Sequence, residues 1–184
     1  MSVGLWVRAS SRRKRLLAIV AVFLVSLIVT IIGTLTPISK QDADNITNDF
    51  NQSITVISEQ GSITFTSYIF GNNLLLTLLM FVPVIGPVFG LVIMYSSGTV
   101  IGAIAASGGY PPVLALVALF ITPVGWLEFA VYSTAMAESV WFLRRLFQRR
   151  VLREFRVMAV FVTICTVTLA VSSIIEVALI SALG

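Results

Sequence analysis

Apolar residues arrive in this chain as long blocks rather than as the short periodic patterns of a water-soluble fold. The first block runs from Leu16 to Leu35 without a charged residue. At 1.5 Å per residue it makes a helix of about 30 Å, the thickness of a bilayer's hydrocarbon core. The pattern predicts a transmembrane helix over 16–36, ended by Pro37. A cleaved signal peptide has a shorter apolar region and a small-residue cleavage site, and neither is evident, so the segment reads as an uncleaved anchor.

Residues 37–67 are polar and read as an external loop. Between Ile54 and Phe65, Thr, Val and Ile roughly alternate, which leaves a short strand or an interfacial segment open. The next block, Tyr68 to Ser107, would be about 60 Å long as one helix, twice the bilayer core. Pro83, Gly86 and Pro87 divide it into predicted helices over 68–82 and 88–106, with the chain turning at 83–87. A loop follows at Ser107-Gly108-Gly109-Tyr110-Pro111-Pro112. Residues 113–142 form a further apolar block broken at 122–125, where Thr122 is suited to cap a new helix and Pro123 to open it. Residues 157–183 are the last span.

Charge gives these blocks a direction. Five of the twelve Lys and Arg residues are Arg8, Arg12, Arg13, Lys14 and Arg15, and six lie between Arg144 and Arg156. The loop at 37–67 holds Asp42, Asp44, Asp49 and Glu59 against the single Lys40. Basic residues stay on the cytoplasmic side, so the tail at 1–15 and the loop at 143–156 are expected inside. An odd number of crossings must then join the first span to Arg144. The expected fold is an all-α polytopic membrane bundle of about five spans in one domain, N-terminus cytoplasmic and C-terminus external. Composition agrees: 58% of the 184 residues are hydrophobic and 11% are charged, against about 25% charged in a soluble domain. The net charge of +4 belongs to the two membrane-flanking clusters and is no sign of nucleic-acid binding.

Several chemistries are excluded outright. There is no histidine, which removes His-ligated metals, Ser-His triads and Cys-His dyads. The single Cys165 cannot form an intrachain disulfide. No phosphate-cradling glycine loop or nucleophile elbow occurs.

Candidate functional residues fall into five groups. Gly86, Gly90, Gly98, Gly102 and Ala106 recur at multiples of four, interrupted by Met94. They offer a groove for another helix, either within the bundle or in a homo-oligomer. Glu128, Glu138 and Glu176 are acids in apolar sequence, where a charge usually faces protein or a wet cavity. Glu138 is expected near the inner interface and Glu176 near the outer headgroups. Glu128 lies in the first turns after the 122–125 break, where helix N–H groups favour a carboxylate; a cap-like role and a site for a cation, proton or partner both remain open. Asn72-Asn73 would open the second span, with capping the expected role and a polar interhelical contact the other. Asn45-Ile46-Thr47 and Asn51-Gln52-Ser53 are glycosylation triplets, consistent with an external position. Tyr95-Ser96-Ser97-Gly98 and Tyr132-Ser133-Thr134-Ala135 are a short repeat, each after a Pro/Gly break.

Over about Ile69 to Ala137 these residues resemble the stage II sporulation protein M family. Its pattern has an Asn pair, spaced glycines, an Asn-Gly step and Pro-His-Gly-x-x-Glu. Asn72-Asn73, Gly86, Gly90 and Gly102 match the first part, Ser97-Gly98 stands at the Asn-Gly step, and Pro123-Val124-Gly125-Trp126-Leu127-Glu128 matches the last. Val124 replaces the family's histidine, so a role that needs imidazole does not carry over, whereas Pro123, Gly125 and Glu128 do. The resemblance implies envelope remodelling, in sporulating bacteria engulfment alongside cell-wall hydrolases. The expectation is a non-enzymatic membrane scaffold without cofactors, with the lipid bilayer and envelope proteins as partners. A small transporter or channel subunit, with Glu128 in a cavity near the breaks, is the second reading.

Overall fold

The structure is a computed structural model and describes residues 11–147 and 151–183. Among these it contains seven helices and no strand. Helix α1 (Ser11–Leu35) is the first apolar block. Helix α2 (Lys40–Ser58) occupies most of the segment read as a polar loop. Its start is set by Ser39, whose Oγ accepts from the Asp42 N–H and donates to Asp42 Oδ2. Such a cap removes an orphan donor from the first turn. Helix α3 (Ser62–Met80) begins before Tyr68, and the Thr/Val/Ile stretch, left open as a short strand or an interfacial segment, is divided between two helices that meet at Gly61. Gly61 takes φ 99°, which turns the chain at no cost to a residue without a Cβ.

The turn between α3 and helix α4 (Ile85–Gly108) is tighter than the expected break at 83–87. The helix resumes at Ile85, and Pro87 fits because the first turn's N–H groups have no intrahelical partner. The cost falls on Val84, a β-branched residue held at φ 70°. Gly109 at φ 70° ends α4 by passing its N–H to Ala106 O, while Tyr110 N–H bonds Ala105 O.

Helix α5 (Pro112–Ile121) and helix α6 (Pro123–Phe147) meet at 87° around Thr122. Thr122 is extended, the conformation favoured before proline. Its hydroxyl donates back to Leu119 O rather than accepting at α6's start. Helix α7 (Val151–Leu183) takes in the last span and Glu154, so much of the segment read as a basic loop is helical. Arg8, Arg149 and Arg150 of the basic clusters lie outside the described residues.

The helices run up and down. Gly98 and Gly102 of α4 meet Thr30 and Thr34 of α1, so these two are parallel. Arg15 of α1 pairs with Glu138 of α6, and Phe23 stacks on Trp126, so α6 is antiparallel to α1. At the other end Val177 of α7 packs on Phe65 and Ile69 of α3. Met80, Met94, Phe129, Tyr132, Met136 and Leu169 form the central core. Outward faces carry Leu16, Val20, Leu24, Ile28 and Ile32 on α1, and Phe155, Val160, Ile164, Val167 and Ile174 on α7. Among the described residues four helices are long and apolar enough to span a bilayer, and the bent pair α5–α6 adds up to a fifth, as a broken span or a re-entrant loop.

Candidate functional site

Proline, glycine and glutamate at 123, 125 and 128 each have a separate geometric task. Pro123 opens α6 immediately after the bend. A Cβ on Gly125 would run into the Leu119 carbonyl oxygen, so glycine is what lets α6 start against the last turn of α5. Trp126 closes the corner, its Nε1 donating to Phe120 O at 2.8 Å, with its ring edge-on to Phe120. Val124, where the resembled pattern has histidine, is buried. The short first turn then carries Glu128 inward rather than leaving it as a cap.

Glu128 Oε1 accepts a 2.6 Å hydrogen bond from Asn73 Nδ2. Asn72 and Asn73 lie in the middle of α3, so neither opens a helix; the expected capping role is replaced for Asn73 by an interhelical bond, because α3 starts ten residues earlier at Ser62. Asn73's own carbonyl accepts from Thr77 Oγ1 at 2.7 Å.

Asn72, Asn73 and Glu128 line a cavity of about 530 Å³ together with Glu176 of α7 and Asp49 of α2. Glu176, expected near the outer headgroups, is therefore beside Glu128, with its Oε2 buried and without a hydrogen-bond partner. Ile46, Phe50 and Ile54 of α2 with Tyr68 and Ile69 of α3 supply apolar and aromatic walls. No group of three His, Cys, Asp or Glu side chains among the described residues converges as a metal site.

The glycine stripe serves packing within the chain. A Cβ on Gly98 or Gly102 would strike the carbonyl oxygens of Thr30 or Thr34, and one on Gly90 would displace Met136. Gly86 lies equally close to the Met80 carbonyl. Ala106 departs from the stripe and is exposed. Gly33 completes the interface from the α1 side, against Tyr95 O; within the first apolar block nothing in the sequence set it apart. Asn45 and Asn51 are both exposed on α2.

Glu138 belongs to a second polar cluster at the end of the bundle where α1 begins. Arg15 reaches Glu138 at 3.5 Å and also pairs with Glu154, which Arg145 approaches at 3.7 Å. Arg15, Arg144 and Arg145 surround the Trp141 ring at 5.4–5.7 Å. The sequence reading placed Glu138 near this end and did not single out Glu154, whose surroundings look merely basic in sequence.

A bundle of long helices with apolar outward faces and its polar contacts turned inward defines a polytopic membrane protein. The profile of the family described as Stage II sporulation protein M matches residues 18–181. The chain belongs to that family. Comparison with curated proteins and with solved structures gives no significant match.

Proposed function

We propose that this protein is a non-enzymatic membrane scaffold of the cell envelope, with α2 on the external side and the arginine-rich end in the cytoplasm. The observation that carries the reading is the anchorage of α2. Ala43 is fully buried and Ser107 Oγ donates to Asp44 Oδ1 at 2.6 Å, which holds the helix on the end of α4. Its other face exposes Asp42, Asn45, Asn48 and Asn51. A short polar helix fixed in this way gives an envelope partner a rigid, net-acidic surface. The clustering of eleven basic residues at 8–15 and 144–156 in the sequence supports the orientation. A photo-crosslinker at Asn48 should trap a discrete envelope protein in native membranes, and Asp42→Lys should reduce that product. Absence of any such product, with the protein present and folded, would contradict the scaffold reading.

The cavity around Glu128 favours a second reading, passage of a small solute. Broken helices at bilayer depth are tolerated where they are buried in protein or line a cavity, and a carboxylate there is a common mark of a solute or proton path. On this reading Glu128→Gln abolishes solute flux in proteoliposomes while leaving assembly intact.

A further inference from the structure

We propose that the arginine-rich end of the bundle is a binding surface for anionic phospholipid, which it holds by the phosphate headgroup at Arg144 of α6 and Arg156 of α7. The acids at this end are turned inward. Glu138 and Glu154 are both buried; Arg15 pairs with each of them, and Arg145 approaches Glu154. The sequence holds no other carboxylate between residues 8 and 17 or between 138 and 160. Three guanidinium groups, those of Arg15, Arg144 and Arg145, gather around the Trp141 ring. Against them stand two carboxylates, so this cluster carries one more cation than acid. Arg144 is the surplus cation, and it is exposed. Arg156 is exposed as well, and among the described residues neither has a carboxylate partner. A phosphate would accept charge-assisted hydrogen bonds from both and supply the missing negative charge.

The neighbours of these arginines select a lipid over a soluble anion. Leu16 adjoins Arg15, Leu146 and Phe147 follow Arg145, and Phe155 precedes Arg156; all four apolar side chains are exposed, Phe147 to 81%. A soluble anion leaves that surface uncovered. A phospholipid covers it with its glycerol esters and first methylenes while its phosphate meets the guanidinium groups. Basic and aromatic side chains bordering an apolar surface settle at the headgroup level. The other end of the bundle lacks this chemistry, since Lys40 is its one basic residue and Asp42, Asp49 and Glu59 are exposed there. Orientation of the chain needs only the number of basic residues on one side, whereas a binding surface needs these particular side chains turned outward. The inference requires a spanning bundle but neither the scaffold nor the solute-passage reading.

The test places the full-length protein in nanodiscs of equal parts phosphatidylcholine and phosphatidylglycerol with matched acyl chains. Native mass spectrometry of the released protein then reads which lipid stays bound. The attraction of one basic residue to an anionic membrane surface corresponds to about fivefold in affinity, and phosphatidylglycerol should be retained in preference by about that factor or more. Arg144→Gln together with Arg156→Gln should lower the preference about fivefold or more on the same scale. Arg144→Lys, which keeps the charge, should retain most of it, and Lys40→Gln at the opposite end should leave it unchanged. Thermal melting of each variant confirms folding, and the single Arg156→Gln variant serves on its own should the double variant fail to fold. Equal retention of the two lipids, an unchanged preference in the folded arginine variants, or an equal loss with Lys40→Gln would overturn the proposal. Displacement of the lipid by inorganic phosphate at matched ionic strength would also overturn it, because a free anion would then suffice.

Discussion

Asn73 and Glu128, 55 residues apart in the chain, meet at 2.6 Å between α3 and α6. The bond links the middle of one span to the first turns after the break in another. It ties the bent pair α5–α6 to α3 through one oxygen of the Glu128 carboxylate.

Removing the donor tests that role. Interhelical hydrogen bonds in membranes contribute roughly 0.5–2 kcal/mol, and an acceptor left without its donor adds a desolvation cost. Asn73→Ala is expected to destabilise the protein by about 1–2 kcal/mol in a reversible unfolding assay in bicelles. Combined with Glu128→Leu, the loss should be less than the sum of the two single losses. Strict additivity would show that the two side chains are not coupled.

Glycines in this fold are separable by what surrounds them. A Cβ on Gly98 meets the Thr30 backbone, whereas one on Gly71 meets nothing within 4 Å. Gly98→Ala forces α1 and α4 apart and should cost about 1–3 kcal/mol, as overpacking does. Gly71→Ala, in the interior of α3, should be neutral or stabilising by up to about 1 kcal/mol through helix propensity. Equal effects of the two would contradict the close approach of α1 and α4.

Arg15 holds two acids at once, and its side chain and those of Glu138 and Glu154 are 15%, 3% and 10% exposed. Removing one partner from a buried ionic group leaves uncompensated charge and typically costs about 3–5 kcal/mol. Arg15→Gln should therefore be among the most damaging single changes at this end of the bundle. Adding Glu138→Gln to it should restore part of the loss, because one of the stranded charges is then gone. Melting temperatures of the single and double variants give the comparison.

Val84 offers the opposite sign. It is exposed and held at φ 70°, where β-branched residues are strained. Val84→Gly removes that strain and is expected to stabilise the folded state by roughly 1 kcal/mol, less the entropy glycine adds to the unfolded chain. Destabilisation of similar size would mean that the Val84 side chain contributes more through contacts than its backbone loses.

Much of the helical frame could be read along the chain because lipid demands long apolar blocks and proline and glycine interrupt them. The bend at Thr122–Pro123 is such a case: the residue before proline is driven to extended geometry, and the helix restarts on the proline. Helix α2 was missed because a polar segment outside the bilayer shows no apolar block. Ser39 followed by Asp42 was its one local signal, and the rough alternation from Ile54 competed with it. The site was legible as a set of unusual residues but not as a place. Asn73, Glu128 and Glu176 each stand out in apolar sequence, yet their convergence depends on helix rotation and depth, which no local spacing encodes. Gly33 and Glu154 illustrate the remainder, since each meets a residue more than sixty positions away, Tyr95 and Arg15 respectively.

The most direct test of the account is the sidedness of the two ends of the bundle. In intact cells, Asn48→Cys on the exposed face of α2 should react with a membrane-impermeant maleimide. Phe147→Cys, at the exposed end of α6, should react only after permeabilisation, and the native Cys165 is buried. Labelling of both positions from the same side would contradict a spanning bundle with α2 outside.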